Sequence, residues 1–375
     1  MAATTRDHRV TVCISKMAHV RSRSPTATFA PFALRLFVCS ITIGTCSLSV
    51  TLWTNVRHFP PASMEEEPMR ALVVGAGTLG GYFGGCLYRA GRDVTFLVRP
   101  PRAKQLSGNG LQIIGPQGNF TEPVRLVLAD DLRGQFDLIL LTVKAYSLNE
   151  AMDQLAPAVG PTTVIVPLLN GMAHLGSLSA RFGAERMMGG TAIISGTLDS
   201  EGRVVLFLPN HDLTFGELAG GTSDRTSALL AFFVGAGFNA RASTVILQDM
   251  WEKWTNLSTT AGITCLMRAS LGDILATPGG RDAILGLFNE CRMVASAAGF
   301  APRPAFVEFC VSLFTREGSP MKASMLRDIE RGAATEGEHV LGDLVNHARS
   351  LGVPTPILDL AYTHLATYER TRRAA

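Results

Sequence analysis

Lys253 is the residue of this chain best suited to donate a proton. It lies in the run Gln248-Asp-Met-Trp-Glu-Lys253-Trp-Thr-Asn256-Leu-Ser-Thr-Thr260, which has helical periodicity. Asn256 and Thr260 follow it by three and seven residues, so the three polar side chains share one ridge of an otherwise apolar helix. A lysine held in a cleft is desolvated, its pKa falls, and its ammonium can act as an acid near neutral pH. The sequence is equally compatible with an exposed lysine paired to Asp249, four residues earlier. Lys144 and Asn170 follow directly on the strand-like runs Phe136–Val143 and Thr163–Leu168. Side chains just beyond the carboxyl ends of parallel strands face the crevice where such sheets bind ligands. The alternative for each is a loop residue that caps the next helix.

A glycine turn supplies the other half of the chemistry. Met69-Arg-Ala-Leu-Val-Val-Gly75-Ala76-Gly77-Thr78-Leu79-Gly80 places a GxGxxG motif between a short apolar strand and a helical pattern. That context marks a dinucleotide site. Gly75 permits the bend, Gly77 lets the backbone approach a pyrophosphate, and Gly80 lets the helix pack on its strand. The backbone of Gly75, Ala76, Gly77, Thr78, Leu79 and Gly80 then forms the phosphate cradle at a helix N-terminus. After the next strand, Asp93–Arg99, an NAD site would carry an acid for the ribose 2′-hydroxyl. This chain carries Arg99, with Arg102 and Lys104 close behind, which suits the 2′-phosphate of NADP. The expected cofactor is therefore NADP (NADPH).

The elements that must position these residues fall into two groups. Strands read at Ala71–Val74, Val94–Val98, Phe136–Val143 and Thr163–Leu168 alternate with helical material, which predicts an α/β, Rossmann-type doubly wound parallel sheet. Gly81, Gly84 and Gly85 weaken the first helix, so they are expected to serve close packing against that sheet. Short runs at Ala192–Ile194, Val204–Leu208 and Leu213–Phe215 suggest an antiparallel extension of it. From about residue 244 helices dominate: Val245–Arg268, Gly280–Ala298, Ala305–Phe314 and Glu336–Ser350. The predicted domains are thus a nucleotide-binding domain over 69–243 and an all-helical substrate and catalytic domain over 244–375.

Composition excludes several functions. With 375 residues, 47% of them apolar and 17% charged, the chain has enough for two globular domains. The net charge of +3 is uneven, because residues 1–63 hold seven basic residues against Asp7 alone. The remainder is weakly acidic, so no nucleic-acid partner is expected. Seven cysteines show no CxxC and no metal-ligand spacing, which reads as buried thiols of a cytoplasmic protein with no metal site. Residues 1–68 read as lying outside the fold. Their apolar run Leu36–Trp53 is compatible with an anchor or a targeting segment, but its six Ser and Thr residues favour an over-extended start, with the working chain beginning at Met64 or Met69. Membrane association is not expected, and a monomer or homodimer is.

Five motifs in order over about residues 69–370 resemble the ketopantoate reductase (2-dehydropantoate 2-reductase) family. They are Gly75–Gly80, Val143-Lys144-Ala145, Leu169-Asn170-Gly171-Met172, Trp251-Glu-Lys253-Trp, and Ser324-Met-Leu-Arg-Asp328 followed by Thr335-Glu336. The resemblance implies NADPH-dependent reduction of a small 2-oxo acid, ketopantoate first, to pantoate on the route to pantothenate. It implies Lys253 as proton donor, Asn170 and Lys144 in contact with cofactor and substrate, Ser324 on the substrate carboxylate side and Glu336 on the cofactor ribose. The family usually has asparagines four and eight residues after the lysine, where this chain has Leu257 and Ala261. Asn256 and Thr260, one residue earlier in each case, are the expected substitutes. A different 2-oxo acid, or a non-catalytic NADP-binding sensor, are the alternatives.

Overall fold

Strand β1 (Arg70–Val74) opens the chain's fold, followed by α1 (Thr78–Arg89), β2 (Asp93–Leu97), α2 (Pro100–Asn109), β3 (Leu111–Ile114), β4 (Phe120–Glu122) and β5 (Arg125–Val127). Next come β6 (Phe136–Leu141), α3 (Leu148–Leu155), β7 (Val159–Pro167), α4 (Ala173–Phe182), β8 (Met188–Ile193), β9 (Gly196–Leu198) and β10 (Val204–Leu206). The first half ends with β11 (Asp212–Glu217), α5 (Asp224–Phe233) and β12 (Asn239–Ala242). These come from a computed structural model that describes residues 68–374, so all but the last residue of the expected leader, including Leu36–Trp53, lies outside the described residues.

The central sheet has the order β5-β2-β1-β6-β7 and every pairing in it is parallel. β1 is covered on both faces, with Ala71, Leu72 and Val73 fully buried, which is why it reads as an unbroken apolar run. The expected antiparallel extension is corrected in part. β8 and β11 do pair antiparallel, in a three-stranded sheet with β12 that meets the central sheet through a single bridge, Ile165 to Met187. β10 leaves for a separate four-stranded sheet, β4-β3-β10-β9.

Helix α1 explains that departure. A Cβ on Gly84 would come within 2.6 Å of Phe96 in the central sheet, while one on Gly81 or Gly85 would come within 2.9 Å of Val204 or Leu111 in the small sheet. The glycines therefore let two sheets, not one, close on neighbouring faces of the same helix.

The second half consists of α6 (Ile246–Met267), α7 (Leu271–Leu275), α8 (Gly280–Ala297), α9 (Pro304–Phe314), α10 (Ser324–Glu330), α11 (Asp343–Ser350) and α12 (Pro356–Ala374). The single helix expected over Glu336–Ser350 is instead a π-helical turn, Glu338–Gly342, running into α11. α6 is buried along most of its length and is flanked by α8, α10 and α12. One apolar cluster draws its residues from 71–236 and another from 251–365, so each half has its own core.

The glycine turn is strict at two points. Gly75 has φ +94°, and a Cβ on Gly80 would lie 2.0 Å from the Gly75 carbonyl oxygen. Gly77 has open space where its Cβ would stand. Gly80→Ala should therefore cost about 1–3 kcal/mol in urea unfolding through forced displacement of the turn, whereas Gly77→Ala should cost under about 1 kcal/mol. Equal, small losses would contradict this packing.

Candidate active site

The turn between β1 and α1 meets the requirements of a dinucleotide cradle. Gly77 is the N-cap of α1, no side chain caps the helix, and no acid stands in its first turn. Its first N–H groups and positive dipole end are therefore free for an anion. The Thr142 hydroxyl holds the turn from below by donating to the carbonyls of Val74 (2.9 Å) and Gly75 (3.0 Å).

The three basic residues after β2 separate in the structure. Arg99 is exposed at the start of α2, paired with Glu150 and 3.2 Å from the Ser147 hydroxyl. Such an exposed pair is worth little and exchanges readily for a phosphate. Lys104 is also exposed. Arg102 turns inward, donating from Nε to the Ala76 carbonyl at 3.0 Å and from Nη1 to the Gly202 carbonyl at 2.7 Å. It straps the turn to the β9–β10 hairpin, and burial lowers its pKa.

Glu336, only 5% exposed, gathers the ends of two central strands. Lys144, just past β6, donates from Nζ to its Oε2 at 2.9 Å, and the Ala145 N–H donates to Oε1 at 3.1 Å. Asn170, just past β7, donates from Nδ2 to Oε2 at 3.4 Å. Asp328 adds a second carboxylate 3.7 Å from the Lys144 ammonium. Burial alone would pull the Lys144 pKa down, but Glu336 and Asp328 together raise it. Asp328 is itself shifted up, by burial above all.

Lys253 lies on α6, half-buried, and lines a small cavity with Asn170 and Gly171 from the loop after β7 and Thr191 from β8. Met250, Trp254 and Leu257 of its own helix, with Leu169 and Gly190, complete the walls. Desolvation pushes its pKa down to about 8, with the Glu336 charge acting in the opposite sense. The pairing to Asp249 does not occur. Asp249 accepts from the Ser243 hydroxyl at 2.6 Å and pairs with Arg241 at 3.0 Å and Arg303 at 2.6 Å. Trp254 fixes this stretch of α6 by donating from its indole to the Val340 carbonyl in the π-helical turn, at 2.8 Å.

Three of the residues expected to touch substrate are not in the cavity wall. Asn256 faces α9, where its Nδ2 donates to the Cys310 sulfur at 3.5 Å. Thr260 is buried and donates back to the Asn256 carbonyl at 3.0 Å and to its Oδ1 at 3.3 Å. Ser324 is the exposed first residue of α10. Leu257 is the residue that reaches the cavity, because a helix advances 100° per residue and four residues return closer to the Lys253 face than three do.

A histidine pair that the sequence motifs do not include lies beside the site. His174, fully buried in α4, places Nδ1 3.4 Å from Nε2 of His339 in the π-helical turn, with the rings stacked. Burial, His339 and Lys253 push the His174 pKa down to about 3, so it is neutral. His339 also bonds the Asn170 backbone, and its own carbonyl would lie 2.6 Å from a Cβ on Gly171, where φ is +77°. The available signal was spacing, since His174 follows Asn170 by four residues and His339 follows Glu336 by three.

Comparison with known proteins agrees with this arrangement. The family described as ketopantoate reductase PanE/ApbA matches residues 71–220, and its C-terminal counterpart matches residues 245–369. The uncharacterized oxidoreductase YkpB of Bacillus subtilis (strain 168) is 39% identical over 301 residues, covering 80% of this chain and 99% of that protein. A 2-dehydropantoate 2-reductase of Mesorhizobium japonicum is 27% identical over 318 residues, covering 78% of this chain and 95% of the relative. The crystal structure of 2-dehydropantoate 2-reductase from Geobacter metallireducens GS-15 superposes with a TM-score of 0.73 at 28% identity, over 80% of this chain and 99% of that one. The parallel sheet with its helices, the helical second half and these matches together make the chain an oxidoreductase belonging to the ketopantoate reductase family.

Proposed function

We propose that this chain reduces a 2-oxo acid to the 2-hydroxy acid with NADPH, Lys253 donating the proton. The observation that carries the reading is the state of Lys253, whose pKa desolvation brings down to about 8 beside the Asn170 loop. An ammonium in that condition stabilises negative charge growing on a carbonyl oxygen and can then release its proton to it. Arginine could not, because it does not lose its proton in this range. A nicotinamide cofactor held by the Gly75–Gly80 turn would supply the hydride for the carbonyl carbon, leaving the C=O electron pair on oxygen. Lys253 transfers its proton to that oxygen and is left neutral, to be reprotonated from solvent. In this reading Asn170 orients the reacting carbonyl or the nicotinamide amide, and Glu336, with Lys144, receives the cofactor ribose.

Family membership supports a pyridine nucleotide as cofactor. The choice of NADPH over NADH is our reading of Arg99, which stands at the end of β2 in an exposed, exchangeable pair. Ketopantoate, the substrate for which the family is named, is the reference compound. No helix among the described residues is long and apolar enough to cross a membrane. A cytoplasmic enzyme, monomeric or homodimeric, acting on a small molecule is the accompanying reading. A non-catalytic NADP sensor would have no use for a depressed lysine pKa, which argues for the enzyme.

Lys253→Met, which keeps the packing and removes the ammonium, should lower kcat by about 10²–10⁴ while NADPH binding, read by fluorescence titration, persists. Undiminished turnover would reject the assigned role. The acid form must be present for reduction, so kcat/KM should be level below about pH 8 and fall tenfold per unit above it. Oxidation of the hydroxy acid needs the neutral amine and should rise over the same range. A reduction profile flat to pH 10 would contradict the proton-donor assignment. Arg99→Ala should weaken NADPH by about tenfold to a hundredfold and leave NADH nearly unchanged, as measured by titration of each. Equal losses would reject the 2′-phosphate contact.

A further inference from the structure

We propose that Arg102 is a positioning residue for the cofactor, aiming the Gly77 N–H at the pyrophosphate while touching no phosphate itself. The inference rests on the reading of the Gly75–Gly80 turn as the cradle of a pyridine dinucleotide. Every donor of Arg102 is committed or covered. Nε donates to the Ala76 carbonyl at 3.0 Å, and Nη1 donates to the Gly202 carbonyl at 2.7 Å and to Gln105 Oε1 at 2.6 Å. Nη2 is buried without a partner. The guanidinium thus presents no free N–H to a ligand, in contrast to the exposed Arg99.

What Arg102 fixes is the direction of one peptide group. The Ala76–Gly77 peptide is trans, so its N–H points opposite to its C=O. Arg102 holds that C=O toward α2 and so turns the Gly77 N–H away from α2. The preceding peptide is pinned in the same manner, because the Thr142 hydroxyl lies 3.0 Å from the Gly75 carbonyl oxygen. Neither the Ala76 nor the Gly77 N–H has a backbone acceptor among the described residues. Two consecutive donors are therefore left free at the start of α1 by carbonyls held from outside the turn. A cationic donor on the Ala76 carbonyl also polarises its peptide, which strengthens the N–H at the other end.

The bond to Ala76 is braced by the β9–β10 hairpin. Gln105, one helical turn after Arg102, donates from Nε2 to the Glu201 carbonyl at 2.6 Å. The hairpin end is shaped by Asp199, whose Oδ1 accepts from the N–H groups of Glu201 at 3.0 Å and Arg203 at 2.9 Å. Gly202, with φ +75°, leaves room for this contact, since a Cβ there would lie 2.1 Å from the Gln105 amide. The hairpin serves the cofactor turn through Arg102.

Arg102→Lys keeps the charge, but one ammonium nitrogen cannot stand where both Nε and Nη1 stand, so the variant tests geometry alone. Fluorescence titration of the full chain should show NADPH and NADH weakened by the same factor, about tenfold, because both carry the same pyrophosphate. The number of equivalents bound should stay unchanged. Unaltered affinity for both cofactors in the folded variant overturns the proposal. Loss for NADPH alone overturns it too, by making Arg102 a ligand of the 2′-phosphate. Fewer equivalents bound at unaltered affinity overturn it in favour of a role in stability only. Should Arg102→Lys not fold, Gln105→Ala decides, since it removes the brace and leaves the Ala76 bond. It should weaken both cofactors alike by about threefold, and no change would overturn the proposal. Failure of the unaltered chain to bind either cofactor overturns instead the reading of the turn as a dinucleotide cradle.

Discussion

A single carboxylate, that of Glu336, ties the two halves of this protein together at the place where chemistry would occur. It is almost wholly buried, and a buried carboxyl group is tolerated only where partners satisfy it. Its partners are the Lys144 ammonium, the Ala145 N–H and the Asn170 amide, so one residue of the helical half fixes the carboxyl ends of β6 and β7. The π-helical turn that follows it carries the same constraint onward. Val340 accepts from Trp254, and His339 packs on Gly171 and His174. The loop bearing Asn170 is thus held from both sides.

The same arrangement sets the electrostatics of Lys253. Protein packed around α6 strips water from the ammonium and drives its pKa down, while the Glu336 charge keeps it from falling further. A proton donor working near neutral pH needs that balance. His174 nearby stays neutral, chiefly because burial disfavours its charged form, with His339 and Lys253 acting in the same sense.

Much of this was legible in the residues alone. The glycine turn, the parallel strands of the first half, the long helix bearing Lys253 and the sites of Lys144 and Asn170 follow from local pattern, because each depends on neighbours close in sequence. What failed depends on distant contacts. Val204–Leu206 reads as a strand but pairs with Leu111–Ile114, a partner 91 positions away in register that periodicity cannot name. Asn256 and Leu257 are adjacent, and the helical turn that brings Leu257 to the Lys253 cavity leaves Asn256 to Cys310 of α9, a partner far away in sequence. Arg102 follows Arg99 closely in sequence, and its bond to the Gly202 carbonyl, a hundred positions away, is one that local pattern cannot name. The histidine pair joins α4 to a π-helical turn, a conformation for which composition gives no signal.

The claim at the centre is that packing around α6 converts Lys253 from an ordinary surface cation into an acid poised near neutral pH. The most direct measurement is an NMR titration of the Lys253 Nζ resonance in protein labelled with ¹⁵N-lysine, assigned by its loss in Lys253→Met. The account predicts a midpoint near pH 8. A midpoint at the usual lysine value of about 10.4 would contradict it.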